Sequence, residues 1–222
     1  MKIRETIFWS HLVIGALIGA VVLFLSVSGM MLSFRPQIIA WAEQGQYQTS
    51  EMQKRSPIRL FMKKIEGFHR WFGVEGPLKP VVHQFKGAVT GLLLLMLISG
   101  MYLWVPRKVM KLKNNLQGQG RDWNRHNVYG FWTVIFLMII TVSGLLLTYL
   151  PPSPKPPAGE KESSLRQFKK LLEKVHTGEA GGIAGQIIVF TATGGAVILV
   201  CTGYAMAARR FARSTKKKES HV

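Results

Sequence analysis

The sequence predicts an all-α membrane protein with four transmembrane helices. They form a duplicated two-helix unit, with a short amphipathic surface helix before the second and the fourth. Three observations predict this. The chain has 29 basic and 11 acidic residues among 222, yet residues 9–34, 87–105, 126–150 and 182–208 contain none of them. Each of these segments is long enough to cross a hydrocarbon core of ~30 Å, which takes about 20 helical residues. Their uninterrupted apolar runs lack the alternation of membrane β-strands. Finally, the pattern of the first half returns in the second.

In the first span, "HLVIGALIGAVVLFLSVSGMML" has His11 as its only ionisable group, with Gly15 and Gly19 one and two turns along the same face. With 26 residues and no small-x-small site after it, the span reads as a retained helix rather than a cleaved signal. The outer loop, residues 35–86, contains "IRLFMKKIEGFH" (58–69), which aligns without gaps on "LRQFKKLLEKVH" (165–176) in the second outer loop, residues 151–181. Each reads as an amphipathic helix lying at the membrane surface. Helices 1 and 3 share His-x3-Gly and a distant Ser-Gly: His11, Gly15 and Ser28-Gly29 against His126, Gly130 and Ser143-Gly144. Helices 2 and 4 share "ISGMYLW" and "CTGYAMA" near their ends. The units are residues 1–105 and 126–208, joined by a basic loop at 106–125 and followed by a basic tail at 209–222. "PPSPKPPAGEKESS" reads as an extended, exposed connector.

A net charge of +18 would suggest nucleic acid in a soluble chain, but here it follows the positive-inside rule. Residues 1–8, 106–125 and 209–222 carry 14 Lys/Arg and 3 acidic residues, against 15 and 8 in outer loops about twice as long. The expected location is the bacterial inner membrane, with both termini cytoplasmic and the basic segments near anionic lipid heads. Cys201 stands alone as a structural cysteine, and no C-x-x-C-H attachment site for haem occurs. Neither a P-loop nor a dinucleotide fingerprint is present, so no nucleotide or nucleic-acid partner is expected.

His221 sits idle in the tail. His11 and His126 form an inner layer, and His69, His83 and His176 an outer one. Ionisable groups in spans are expensive and mark function. His11-x3-Gly15-x3-Gly19 is repeated as His83-x3-Gly87-x3-Gly91. Such glycine faces serve close helix packing, or they receive a flat ligand held by the histidine. A b-type haem fits the second use, because it needs imidazole on iron, an apolar slot and basic groups for its propionates. Antiparallel packing puts Ser99-Gly100 and Thr202-Gly203 at the depth of His11 and His126, and Ser28-Gly29 and Ser143-Gly144 near the outer histidines. Two haems follow, with His11, His126, His176 and either His69 or His83 as iron ligands, and Gly15, Gly87 and Gly130 against the rings. Repeat alignment favours His69, and the glycine groove favours His83. Arg35, Arg70, Lys79, Lys86 and Arg125 are candidate propionate partners. Zinc or copper alone fits poorly, as the histidines are spread in depth and no Cys or carboxylate joins them.

The motifs "SHLVIGALIGAVVLFLSVSGMML", "FHRWFGVEGPLKPVVHQFKGAVTGLLLLMLISGMYLWVPRK", "NRHNVYGFWTVIFLMIITVSGLLL" and "HTGEAGGIAGQ…CTGYAMAARR" cover most of the chain. In this order they resemble the PepSY-associated transmembrane family, which includes iron-regulated membrane proteins and ferric-siderophore reductases. The resemblance implies helix histidines on b-type haem and electron transfer across the inner membrane to periplasmic ferric iron. The chain departs from the family in its short outer loops, which leave no complete periplasmic PepSY domain. It also departs at His83, where the family more often has Arg and the second repeat has Gln186. The expected function is an electron conduit from an inner donor, quinol or reduced flavin, to a periplasmic ferric chelate or partner protein. The rival reading is a non-enzymatic scaffold or accessory subunit of an iron-uptake or respiratory system, its glycines serving packing alone.

Overall fold

The computed structural model describes residues 3–44, 56–106, 109–151 and 161–219. Among them run seven α-helices: α1 (Ile3–Ser33), α2 (Arg35–Ala42), α3 (Pro57–Trp71), α4 (Lys79–Trp104), α5 (Gly118–Tyr149), α6 (Ser164–Thr177) and α7 (Gly182–Glu219). α1, α4, α5 and α7 are long and apolar enough to cross a membrane, and the described residues contain no strand. α3 and α6 are the two amphipathic helices anticipated from the repeat. Residues 152–160 of the Pro-rich connector, and His221, lie outside the described residues.

Helix boundaries follow local chemistry. Pro57 opens α3 and Pro80 sits in the first turn of α4, where a missing N–H leaves nothing unpaired. The Ser163 hydroxyl accepts the Arg166 N–H to cap α6, which ends on Gly178 at φ 84, a left-handed conformation natural to glycine. α2 was not anticipated. Its eight residues read as loop, and Pro36 in its first turn is the one signal for it.

The spanning helices outrun their uncharged cores. α4 begins at Lys79 rather than 87 and α5 at Gly118 rather than 126, which draws Lys86, Arg121, Asp122 and Arg125 into helix. A helix need not end where the hydrocarbon does, provided its charges find partners. Asp122 is 5% exposed and is ion-paired with Arg209 of α7, with Arg121 at 3.7 Å. Asn124, also buried, accepts the Lys113 N–H and donates to the Lys111 carbonyl, tying down the α4–α5 loop.

α1 packs against α4 and α7, and α5 packs against the same two, so α1 and α5 face each other across the bundle. Leu97, Leu137, Ala192 and Ala196 form one core, and Ile18, Val22 and Val89 another. α3 leans on α1 and α6 on α5. At the joint of α6 with α7, Gly178 and Gly185 bring their backbones together so closely that a Cβ on either would strike the other's carbonyl.

That joint generates a prediction. Gly185→Ala should lower the melting temperature of the detergent-solubilised protein, since overpacking costs about 1–3 kcal/mol. Gly91→Ala, where an added Cβ meets nothing within 4 Å, is the control. Equal melting temperatures for the two variants would contradict the close approach.

Candidate cofactor site

Four imidazoles meet in two pairs. His11 on α1 and His126 on α5 come together in a proximal layer, at the end of the bundle where α1 begins and α7 finishes. His69, near the end of α3, meets His176, near the end of α6, in a distal layer. The ring centroids are 6.4 Å apart in both pairs, with interplanar angles of 89° and 56°. The layers are separated by the 17 residues from His11 to Ser28, about 25 Å of helix at ~1.5 Å per residue.

Each imidazole is held in the same way. Nδ1 lies 2.9 Å from the Ser99 hydroxyl for His11, 2.8 Å from Ser28 for His69, 3.0 Å from Thr202 for His126 and 3.2 Å from Ser143 for His176. The glycine after each hydroxyl residue is the reason the ring fits. A Cβ on Gly100, Gly29, Gly203 or Gly144 would sit 2.8–3.7 Å from the Cε1 of His11, His69, His126 and His176 respectively. Each hydroxyl residue belongs to the same repeat as its histidine, so each repeat fixes its own two rings. Each pair joins one ring from either repeat.

Backbone carbonyls beside the hydroxyls point to the ring nitrogen that carries the hydrogen. Ser28 donates its proton to the Phe24 carbonyl, Ser99 to Met96, Ser143 to Ile139 and Thr202 to Ile198. With that proton engaged, each oxygen is placed to accept from an Nδ1–H. His126 Nδ1 also reaches the Leu199 carbonyl at 3.1 Å, and His176 Nδ1 the Ile140 carbonyl at 2.9 Å, which can only accept. In that tautomer Nε2 carries a lone pair with no hydrogen-bond partner among the described residues, the state in which imidazole binds a metal.

The separation of the rings suits one metal between them. An imidazole centroid lies about 1.2 Å from its Nε2, and a metal–imidazole bond is about 2.0–2.1 Å. Two imidazoles opposite each other on one ion then place their centroids about 6.4 Å apart. Among the described residues no group of three or more His, Cys, Asp or Glu could hold a metal. Each pair falls short of the four ligands of structural zinc, and two axial ligands are what a porphyrin iron takes. All four histidines line one cavity of about 1500 Å³ running between the layers, above the ~300–1,000 Å³ usual for a single ligand. Its middle is walled by Val89, Leu93, Leu137, Val189 and Ala196.

Other expected site residues fall differently. His83 joins neither pair. It stacks on Trp71 at 5.7 Å and meets the edge of Tyr149 at 6.1 Å. Gly15 and Gly130 line the cavity, with Met96 and Leu199 as their nearest neighbours. Gly87 does not line it, and the Tyr149 phenol packs into its hollow; Gly19 does line it, with the Tyr204 phenol beside it. Of the five basic residues considered, Arg35, Arg70 and Lys86 reach the cavity, and Lys79 and Arg125 do not. Arg35 pairs with Glu66 at 2.5 Å, and Arg70 bridges Glu66 and Glu173. The hydroxyls of Ser28, Ser99, Ser143 and Thr202 were read from sequence only as small residues; their recurrence at the depth of each histidine was the available signal.

A family model described as the PepSY-associated TM region matches residues 45–156. The match takes in His69, His83 and His126 and excludes His11 and His176. No curated protein and no solved structure matches the chain.

The distal layer carries a pH dependence. Burial, then the charges of His176, Lys86 and Arg70, push the His69 imidazole down to about 3, and burial also lowers His176. Undocked, these rings take a proton near 6.5. The docked state refuses it, so docking is at full strength above pH 6.5 and weakens as pH falls towards 3. In cofactor-free protein, amide exchange across α3, corrected for intrinsic rates, should accelerate between pH 7 and 5. The effect should shrink in His69→Leu. Equal protection at both pH values would refute it.

Proposed function

Because the chain belongs to the PepSY-associated TM region family, we propose that it is a b-type haem protein that carries electrons across a membrane. His11 and His126 would hold one haem, and His69 and His176 the other. The observation that supports this most is the geometry: four imidazoles, each with Nδ1 at hydrogen-bond distance from a helix hydroxyl, in two pairs whose 6.4 Å spacing fits one iron each. Bound haem supplies a one-electron iron couple. The chain orients the four rings, raises their basicity through the Nδ1–H bonds and keeps water from the apolar wall. Two imidazoles per iron leave no open position for a reactant, which suits electron transfer rather than oxygen chemistry.

The charge bias supports placement in the bacterial inner membrane with cytoplasmic termini. The donor would then be quinol or reduced flavin at the proximal end, and the acceptor a ferric chelate such as a ferric siderophore, or a partner protein, at the distal end. The rival is a scaffold whose glycines only pack, and the phenols seated at Gly87 and Gly19 suit it.

The expected result for detergent-purified protein expressed with ample haem is a red preparation. It should have sharp low-spin b-type bands in a reduced-minus-oxidised spectrum and about two haems per chain by pyridine haemochrome. His126→Ala should remove or convert to high spin about half of that signal, and His83→Ala should leave it unchanged. A colourless protein favours the scaffold. Two low-spin haems in His126→Ala would refute the proximal pairing.

A further inference from the structure

The duplication breaks beside the distal pair. An offset of 103 residues lays Ser99-Gly100 on Thr202-Gly203, and the same offset lays Lys86 on Val189. One repeat thus places an ammonium group where the other has an apolar side chain. Lys86 lies seven residues into α4, Ser28 five from the end of α1 and Ser143 six from the end of α5. At ~1.5 Å per residue, all three stand about 8–10 Å inside their helix ends. Lys86 is therefore level with the hydroxyls that hold His69 and His176, and it lines the cavity.

Its charge has no carboxylate partner among the described residues. Arg35 and Arg70 are held by Glu66 and Glu173, whereas Lys86 Nζ rests 5.9 Å above the Trp71 ring. The charge reaches both distal imidazoles. An uncompensated ammonium in a spanning helix is costly and calls for an anion. In the proximal layer the cavity-lining cation, Arg210, also lies over aromatic rings, those of Phe8 and Trp9, at 5.0 and 4.6 Å.

We propose that Lys86 is a carboxylate anchor of the distal site, receiving a haem propionate from within the cavity; this rests on the haem reading above. By offsetting a propionate charge beside the distal iron, Lys86 raises that haem's potential, which favours residence of the electron at the distal end. Lys86 is a positioning residue here, acting through the cofactor.

The test is a redox titration of haem-loaded full-length protein in detergent, comparing wild type, Lys86→Gln and Lys86→Arg. In Lys86→Gln one of the two haems should become at least tenfold harder to reduce, 59 mV for a one-electron couple, while the other stays put. Lys86→Arg should keep the wild-type values. Loss of one haem of two in Lys86→Gln, with retention in Lys86→Arg, supports the anchor equally. Wild-type potentials in Lys86→Gln, or equal damage in both variants, overturn it. Protein loaded with haem dimethyl ester identifies the anion's source. If the propionate is the partner, wild type should prefer haem over its dimethyl ester at one of the two sites by more than Lys86→Gln does; an equal preference in both proteins means the partner carboxylate is not the haem's, and overturns the proposal. Wild-type protein that purifies without haem overturns the haem reading itself, an outcome distinct from all of these.

Discussion

Everything at the centre of this bundle depends on one hydrogen bond made four times, from an imidazole Nδ1–H to a helix hydroxyl. In hydrocarbon a polar group without a partner is expensive, and a histidine could escape that cost by turning to the interface. Here a serine or threonine on the neighbouring helix stops it. The hydroxyl's own proton is committed to the carbonyl four residues back, or three back at Ser99. What remains is an oxygen that can only accept. That chemistry orders the ring, chooses its tautomer and turns the other nitrogen loose. The adjoining glycine is part of the same device, because the ring lies where a side chain would otherwise stand.

The duplication decides where these rings meet. α1 holds the hydroxyl for His69, and α4 the hydroxyl for His11; α5 and α7 do the same for His176 and His126. Orientation is therefore complete within each half, while pairing exists only between halves. α1 and α5 oppose each other across the ring of four helices, so the proximal rings meet on the axis that relates the repeats. The distal rings arrive from outside the ring of spanning helices, on short amphipathic helices. Their positions depend on docking as well as on span packing, and acid acts on that docking step through His69.

How much of this was legible depends on the physical range of each signal. The spans were legible because exclusion of charge over about 20 residues is a local property of the chain. Depth was legible for the same reason: counting residues along antiparallel helices put Ser99-Gly100 opposite His11 and Ser143-Gly144 opposite the distal histidines. The choice between His69 and His83 was not legible. Both lie near the same depth, and only the direction in which α3 and α4 present them separates the two. His83 faces Trp71 and Tyr149. The glycine groove misled at Gly87, because an empty helix face does not say which neighbour will fill it; Tyr149 did. Helix ends were missed where charges such as Asp122 found partners on another helix, a long-range fact invisible to a hydropathy window.

The two halves have kept the same ring-holding units and diverged around the distal pair, and those differences fit together spatially. Tyr149, which packs into the hollow at Gly87, corresponds in the repeat to Phe34, and Gly87 corresponds to Phe190. On that side the two phenyl rings pack edge to face at 5.7 Å. One side thus fits a large residue against a glycine, the other two large residues against each other. His83 corresponds to Gln186, which is buried and accepts a hydrogen bond from Gln37 at 2.6 Å, closing that side of the bundle with a neutral pair. Lys86 corresponds to Val189, buried in the wall. On α7 the second repeat therefore presents no charge at this depth, charged lining residues such as Glu173 coming from α6 instead. The first presents a histidine, a tryptophan and an ammonium group that has no carboxylate partner among the described residues. The asymmetry between α4 and α7 beside the distal pair is what the proposed anchoring of an anionic group rests on.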